Sequence, residues 1–362
     1  GINQEENNLA AIGSLKIYRN TRWGKLMELV LTDSRSYRTP HPVPGEINNQ
    51  IAGSARYLSP LPLVEIFDAG KTYNNGNPPA SIPLGDGSIP NTRKDFPAGS
   101  MLGTEQKQWW KEVIAGSDAT WKIWGHSVPV MPMRLDLDQI NPEATNTVFT
   151  IDTWDGYHSE RRELMSFIKE QGVRNFISLA GDNHNSFAGI LDVNYENDEL
   201  DPIGAEFCVC GISSTSVFKA LAGFVPKDDP FRALVAYDSR PFGGSDDMLP
   251  SLNMTFRYGS RASATLAQTG DINKAKAMGN PKQNPHLKYV DSSANGIAVV
   301  KVTEEVVQTR FITIEEPLSD RGNEGAKVLR ETSFTVPAQD NGQTSELIGP
   351  EFKGQAPFPE TT

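Results

Sequence analysis

The sequence has few cysteines, no long apolar run and no surplus of positive charge. Its two cysteines, Cys208 and Cys210, are two positions apart. On a strand they would lie on one face roughly 6.5–7 Å apart, too far for an easy disulfide. We interpret them first as small core residues and only second as metal ligands. No apolar stretch approaches the roughly 18 residues that a membrane span needs, so we expect no transmembrane segment.

The charge and the missing motifs exclude several classes of function. A net charge of -11 argues against nucleic acid as a partner, because binding a phosphate backbone needs a basic surface. It leaves room for a small phosphate ester, since a bound metal can reverse the local field. Glycine-rich nucleotide-binding patterns, the Gly-x-Ser-x-Gly nucleophile elbow and paired-cysteine metal motifs are absent from the sequence.

Two helix–strand repeats predict an α/β sheet. A helix over about 104–116 precedes a strand at 120–124, and a helix over about 159–172 precedes a strand at 175–180. Such alternation is typical of α/β folds, in which ligands gather at the carboxyl ends of the strands. We therefore expect the candidate site at the ends of these two strands.

Other segments divide the chain. Proline, glycine, asparagine and serine dominate 40–97, which predicts a functional loop or insertion. The last part, 316–362, predicts an extended surface tail, so that 1–315 forms the main domain. Beyond residue 192 the pattern predicts strands at 203–210, 297–302 and 306–314.

Both strand ends carry side chains that can bind metals. The second strand is followed by Gly181-Asp182-Asn183-His184, whose carboxylate and imidazole suit Fe, Zn, Mn or Ca sites. The alternative is that Asp182 caps a turn and His184 makes a buried hydrogen bond. The first strand ends at Gly125-His126, and for His126 a metal ligand and a structural histidine are equally supported. We expect Asp182, His184 and His126 to share one pocket.

Two further hypotheses concern substrate contacts. Trp154 and Tyr157 would wall the pocket with amphipathic rings, or else form a packed loop before the second helix. Arg35 would present its guanidinium to a phosphate, or else pair with Asp33, which the pattern favours.

In this order, the segments resemble the PhoD-like alkaline phosphatase/phosphodiesterase family of the calcineurin-like metallophosphoesterase superfamily. The resemblance spans roughly residues 15–300 and rests on 22–24 with 29–38, 101–110, 117–122, 152–161 and 179–184. It implies an α/β/β/α sandwich holding two metals, among Fe, Ca, Zn and Mn. It also implies hydrolysis of small phosphate mono- or diesters, including phospholipids, by a metal-bound hydroxide. A periplasmic or secreted location follows from the same resemblance.

The resemblance also implies roles for individual residues. Asp182 corresponds to a metal ligand, and His184 to a ligand or a catalytic acid beside the metals. His126 lies where many calcineurin-like enzymes place a metal-binding and catalytic histidine, although PhoD-like relatives often have glutamine there. Arg35, Trp154 and Tyr157 are then the residues expected to bind substrate.

The sequence departs from the family at its N-terminal side. Residues 1–120 contain no Asp-x-His, Asn-His or His-Glu pair of the kind that supplies the other ligands. The chain opens at Gly1 without an initiator methionine or basic leader. We therefore expect the C-terminal part of a proteolytically processed precursor, completed by a separate N-terminal fragment as a second chain. A catalytically silent binding or structural module on the same scaffold, and a metal-dependent hydrolase of another ester, remain the alternatives.

Overall fold

The computed structural model describes residues 6–7, 10, 14–84, 87–141, 144, 146–197, 199–238, 248–316, 325–339 and 345–360. The strands are β1 (Arg19–Trp23), β2 (Met27–Leu31), β3 (Tyr57–Pro60), β4 (Ser81–Leu84), β5 (Gly87–Pro90), β6 (Trp121–Gly125), β7 (Arg134–Leu135), β8 (Thr147–Thr150), β9 (Phe176–Ala180), β10 (Ser186–Asp192), β11 (Pro202–Cys208), β12 (Tyr237–Asp238), β13 (Met248–Leu249), β14 (Leu287–Asp291), β15 (Asn295–Val302), β16 (Val306–Ile314), β17 (Val328–Pro337) and β18 (Ile348–Gly354). The helices are α1 (Gly45–Ala52), α2 (Leu61–Ala69), α3 (Tyr73–Gly76), α4 (Gly103–Gly116), α5 (His158–Glu170), α6 (Val217–Phe224), α7 (Arg232–Val235), α8 (Ser251–Tyr258), α9 (Ser260–Thr269) and α10 (Ile272–Ala277).

A seven-stranded mixed sheet organises these elements, with strand order β1-β2-β6-β9-β11-β10-β14. Strands β2, β6, β9 and β11 are parallel neighbours, whereas β1, β10 and β14 pair antiparallel. The two helix–strand repeats therefore place β6 and β9 side by side in parallel, within the α/β sheet that the sequence predicts. Their carboxyl ends meet at one edge of the sheet, where the candidate site was expected.

Alternating side chains cover the two faces of this sheet. On β6, Trp124 faces helices α4 and α5 and joins their buried Trp110 and Leu164 in one cluster. Trp121 and Ile123 point the other way, into a cluster shared with the second sheet. β6 therefore contributes buried side chains to both faces of the sheet.

A four-stranded antiparallel sheet, in the order β15-β16-β17-β18, covers the second face. Phe311 and Phe334 from this sheet are buried against Phe207 and Tyr289 of the central sheet. Helices, central sheet and second sheet form three layers. The outer face of the second sheet exposes Ile297 at 45%, so the described part of the chain shows three of the four layers expected for an α/β/β/α sandwich.

The segment 316–362 differs from the predicted extended tail. Strands β17 and β18 lie within it and complete the second sheet. On β17 the buried positions Thr332, Phe334 and Val336 alternate with partly exposed ones. Because threonine, serine, arginine and glutamate fill half of this strand, its apolar alternation is weak in the sequence.

The segment 40–97 differs from the predicted loop as well. It contains α1, α2, α3, β3 and a β4–β5 hairpin. Val64, Phe67 and Ile82 belong to a separate small core that also includes Val148 of β8 and Ile151 just after it. Prolines before α1 and α2 break the periodicity, so the short helices were hidden among turn residues. No helix in the described ranges is long and apolar enough to cross a membrane.

Candidate functional site

A polar cavity of about 580 Å³ opens beside residues that follow β2, β8 and β9. Asp182 and His184 both line it, as does Arg35 from the segment after β2. The cavity therefore brings together two of the three predicted metal ligands and one predicted substrate contact. It lies at the edge of the sheet where the parallel strands end.

The turn after β9 holds Asp182 and His184 in unusual backbone conformations. Their φ angles are 67° and 54°, in the left-handed region that non-glycine residues rarely adopt. The amide of Asn183 donates to the carbonyl of Gly181 at 2.8 Å, closing a tight turn between them. Such strain is characteristic of residues held for a function, and here it directs two potential ligands toward the cavity.

The hydrogen bond of His184 determines which of its ring nitrogens is available. Its Nδ1 lies 2.7 Å from the carbonyl oxygen of Thr215. A carbonyl only accepts, so Nδ1 carries the proton and Nε2 of the neutral ring keeps its lone pair. His184 is exposed at the cavity, and Nε2 can accept a proton or bind a metal there.

Arg35 joins two carboxylates instead of pairing with Asp33. Its Nη1 donates to Asp152 at 2.8 Å and its Nη2 to Asp182 at 3.1 Å. Asp33 accepts the backbone amides of Arg35 and Ser36, each at 2.9 Å. The favoured Asp33–Arg35 ion pair is therefore wrong, because the Asp33 carboxylate closes a turn while the guanidinium reaches into the cavity.

Asp152 is the centre of a basic cluster that the sequence did not reveal. Besides Arg35, its carboxylate accepts from Arg38 at 2.6 Å and Arg56 at 3.1 Å and lies 2.9 Å from His41 Nε2. Partial burial would raise the pKa of Asp152, but the hydrogen bonds from His41, Arg38 and Arg35 hold it well below its ordinary value. We call these five residues the Asp152 cluster.

A compositional signal for this cluster exists in the sequence. Residues 35–56 contain three arginines and one histidine but only one acidic residue, Glu46, in a chain of net charge -11. A basic segment of this kind in an acidic protein indicates a local site for anions. The contacts with Asp152, roughly a hundred positions away, are visible only in the fold.

The structure does not bring His126 into the cavity. Its side chain is fully buried, stacks on Trp124 with ring centroids 4.3 Å apart, and has Nε2 2.6 Å from the Ser178 hydroxyl. Because Ser178 donates to Glu206 at 2.7 Å, its oxygen accepts from His126 Nε2. The ring's Nδ1 is buried and, among the residues described, has no hydrogen-bond partner. A ligand role for His126 stays a prediction.

Trp154 and Tyr157 lie in the core and do not line the cavity. Both are fully buried, Trp154 against Trp124 and Tyr157 with its hydroxyl donating to the Thr39 carbonyl at 2.8 Å. Their position is that of the packed-loop alternative, and the substrate contact of Trp154 and Tyr157 stays a prediction. Cys208 and Cys210 are likewise buried and unpaired by disulfide.

The described residues at the cavity offer fewer metal-binding side chains than a two-metal centre requires. Such a centre holds ions roughly 3.5–4 Å apart and needs several protein ligands. At the cavity, Asp182 and His184 offer two, and Arg35 already contacts one oxygen of Asp182. In the portion of the chain that the structure describes, no group of three or more His, Cys, Asp and Glu side chains could hold a metal ion. These donors do not fit a complete dinuclear site.

Comparison with known proteins identifies the family. The model of the PhoD-like phosphatase family matches residues 4–311. The chain belongs to the PhoD-like phosphatase family. The predicted resemblance is thus confirmed, and it extends over most of the chain.

Two PhoD-like relatives show how much of their length this chain matches. Alkaline phosphatase D of Bacillus subtilis (strain 168) is 24% identical over 200 residues, which are 55% of this chain and 26% of that protein. A solved structure of PhoD matches with a TM-score of 0.54 and 18% identity, over 95% of this chain and 46% of that one. This structural match supports the fold alone. The chain spans less than half the length of either PhoD-like relative.

Proposed function

We propose that this chain forms part of a hydrolase of phosphate mono- or diesters. The observation that carries the proposal is the convergence of Asp182, His184 and Arg35 on one polar cavity in a PhoD-like fold. Arginine matches a phosphate group bidentately, and a carboxylate with an imidazole beside it provides acid–base or metal-binding groups. A periplasmic or secreted location and phospholipid substrates are narrower parts of the same proposal.

Arg35 and His184 would have different roles in hydrolysis. Arg35 donates from both terminal nitrogens, and a phosphate oxygen entering the cavity competes with Asp152 and Asp182 for these donors. His184, with its proton fixed on Nδ1 by Thr215, offers Nε2 toward the cavity to accept a proton or coordinate a metal. The buried base of the turn keeps these groups in place before substrate arrives, which lowers the cost of reorganisation.

We propose further that a separate N-terminal polypeptide supplies the ligands that this chain lacks. The shortage of donors around Asp182 and His184 supports this proposal. A second observation supports it: an open, largely apolar hollow of about 570 Å³ lies beside Leu29, Leu31 and Leu179 at the ends of the parallel strands. Uncovered apolar sheet surface of this kind favours association with another chain. Bound metal would lower the pKa of water and polarise the ester.

The first prediction concerns Asp182. We expect Asp182→Asn to reduce hydrolysis of p-nitrophenyl phosphate and its bis ester by more than the roughly 10–100-fold seen when groups behind a ligand are changed, because it removes a ligand charge at nearly constant volume. Turnover is measured in the native assembly with and without a chelator, and Asp271→Asn, an exposed helix cap away from the cavity, serves as the matched control. Near-wild-type turnover of the Asp182 variant would remove this residue from the site.

The second-chain proposal has a separate test. Mass spectrometry of the native protein under denaturing conditions should reveal a second polypeptide beside this chain. A single 39.7 kDa species that is monomeric, active and fully loaded with metal would contradict it.

One observation favours the alternative of a catalytically silent module. The ion pair between Arg35 and Asp182 neutralises the carboxylate that a metal would need. Phosphate binding without turnover in the native assembly would support that alternative, whereas chelator-sensitive turnover excludes it.

A further inference from the structure

The Asp152 cluster carries more positive charge than its carboxylates neutralise. Three arginines, Arg35, Arg38 and Arg56, face the cavity together with two aspartates, Asp152 and Asp182. Among the residues that the structure describes, Asp182 forms an ion pair with Arg35 alone, so both other guanidinium groups share the single carboxylate of Asp152. An ion-pair network serving stability alone would balance its charges, and this one has a surplus.

The guanidinium groups also keep unused donors. Each guanidinium has five N–H donors. In the residues described, Arg38 and Arg56 each direct one side-chain hydrogen bond, both to Asp152. The Arg56 side chain is 51% exposed and the Arg38 side chain 18%. Most of their N–H groups therefore remain available to a ligand within the cavity.

The surplus positive charge of the cavity favours an anionic ligand. The chain has a net charge of -11, so a cationic cavity stands out against an acidic surface and concentrates the local field. Planar guanidinium groups bind phosphate through paired hydrogen bonds that a point charge cannot reproduce. The cavity thus has both the charge and the donor geometry for phosphate.

We propose that Arg38, Arg56 and His41, which all contact Asp152, bind a second phosphate group of the substrate that replaces part of their contact with this carboxylate. Arg35 lies between the two ends of the cavity, because it contacts Asp182 on one side and Asp152 on the other. The phosphate beside Asp182 and His184 is the reacting one, and the second lies at the Asp152 end. This inference deepens the proposed function and rests on it for the assignment of the reacting end.

The size and charge of the protein narrow the ligand to a small molecule. A cavity of about 580 Å³ accommodates a compact ester with two phosphates. A long polyanion would also contact protein outside the cavity, and the net charge of -11 of the chain opposes that. The substrate class is therefore a small bisphosphate ester.

A pair of sugar phosphates that differ by one phosphate tests this proposal. Isothermal titration calorimetry of the native assembly measures the affinity for fructose 1,6-bisphosphate and for fructose 6-phosphate at low and physiological salt. We expect the bisphosphate to bind at least about tenfold more tightly, with a preference that weakens as salt is added. Equal affinities for the two probes would overturn the proposal.

Arg56→Gln is the deciding variant, and Arg310→Gln is its control. Arg310 lies on β16, is 47% exposed and pairs with Glu331 at 3.1 Å, as Arg56 pairs with Asp152 at 3.1 Å. Arg56→Gln should abolish the preference for the bisphosphate, Arg56→Lys should retain part of it, and Arg310→Gln should leave it unchanged. A purely structural ion pair would instead lower the thermal midpoint of Arg56→Gln and leave the preference intact.

The binding measurement separates this inference from the proposed function. Preferential binding of the bisphosphate together with no ester hydrolysis in the native assembly would support the second-phosphate site and overturn the hydrolase. Hydrolysis without any preference for a second phosphate would overturn the site and leave the hydrolase standing.

Discussion

Two aspartates three positions apart, Asp152 and Asp155, show how similar ion pairs acquire different roles. Asp155 is buried and bonds Arg134 at 2.8 Å, Arg161 at 2.9 Å and His158 at 2.9 Å. Burial would raise the pKa of Asp155, but the charge of Arg134 and the hydrogen bond from His158 hold it well below its ordinary value. Asp152 has similar partners, yet it lies in an open cavity.

The charge balance separates the two sets. Arg134 also pairs with Glu196, so two arginines meet two carboxylates around Asp155. Burial lowers the pKa of His158 to about 3, which leaves that ring neutral at pH 7. The buried set is therefore saturated, whereas the Asp152 cluster keeps a positive surplus and exposed donors. A set of ion pairs whose charges balance indicates a structural network. A set with surplus positive charge and exposed donors indicates a binding site.

The largest expected effect tests the structural half of this comparison. Asp155→Asn should lower the free energy of unfolding by about 3–5 kcal/mol, because it leaves buried guanidinium groups without their carboxylate. Asp152→Asn should cost no more than about 1–2 kcal/mol, since its partners remain partly solvated. Urea unfolding measures both. Equal losses for the two variants would contradict the distinction.

A smaller effect is expected at Asp68, a buried aspartate that provides a third case. Its Oδ2 accepts from the Ser159 amide at 2.6 Å, while Oδ1 is buried and, in the described ranges, has no partner. Burial raises its pKa from 3.8 to about 7. The folded state therefore holds a proton that the unfolded state releases, and this contribution to stability, present below pH 4, is lost as the pH rises to about 7.

Asp68→Asn should remove this pH dependence. We expect the variant to exceed the wild type by about 1–2 kcal/mol in unfolding free energy at pH 8, with the difference disappearing or reversing at pH 5. Urea unfolding at the two pH values provides the measurement. If the difference in unfolding free energy between the variant and the wild type is the same at both pH values, Asp68 does not titrate as its burial requires.

The parts of the fold that the sequence predicted depend on local periodicity. The apolar stripe of α5 and the run of β9 are contiguous, so an α/β sheet and the position of Asp182 at a strand end could be predicted. β17 was missed because its polar positions obscure the alternation. The helices of 40–97 were missed because proline and glycine interrupt them.

The candidate site was predictable only where one segment supplies it. Asp182 and His184 share a turn, so a four-residue pattern was sufficient. Arg38 and Arg56 reach Asp152 across 114 and 96 positions, and no spacing rule connects them. The position of Trp154 could not be predicted for another reason: an aromatic ring before a helix fits a pocket wall and a core equally well, and only its burial in the structure distinguishes the two.

The affinity of Asp152→Asn for fructose 1,6-bisphosphate tests the central claim most directly. If the Asp152 cluster is an anion site, removing its carboxylate increases the positive surplus, and the variant binds the bisphosphate about fivefold more tightly than the wild type at low salt. The folded fraction of Asp155→Asn should show no such gain in affinity for the bisphosphate. Weaker or unchanged binding by Asp152→Asn would show that the arginines only neutralise Asp152 and do not form a phosphate-binding site.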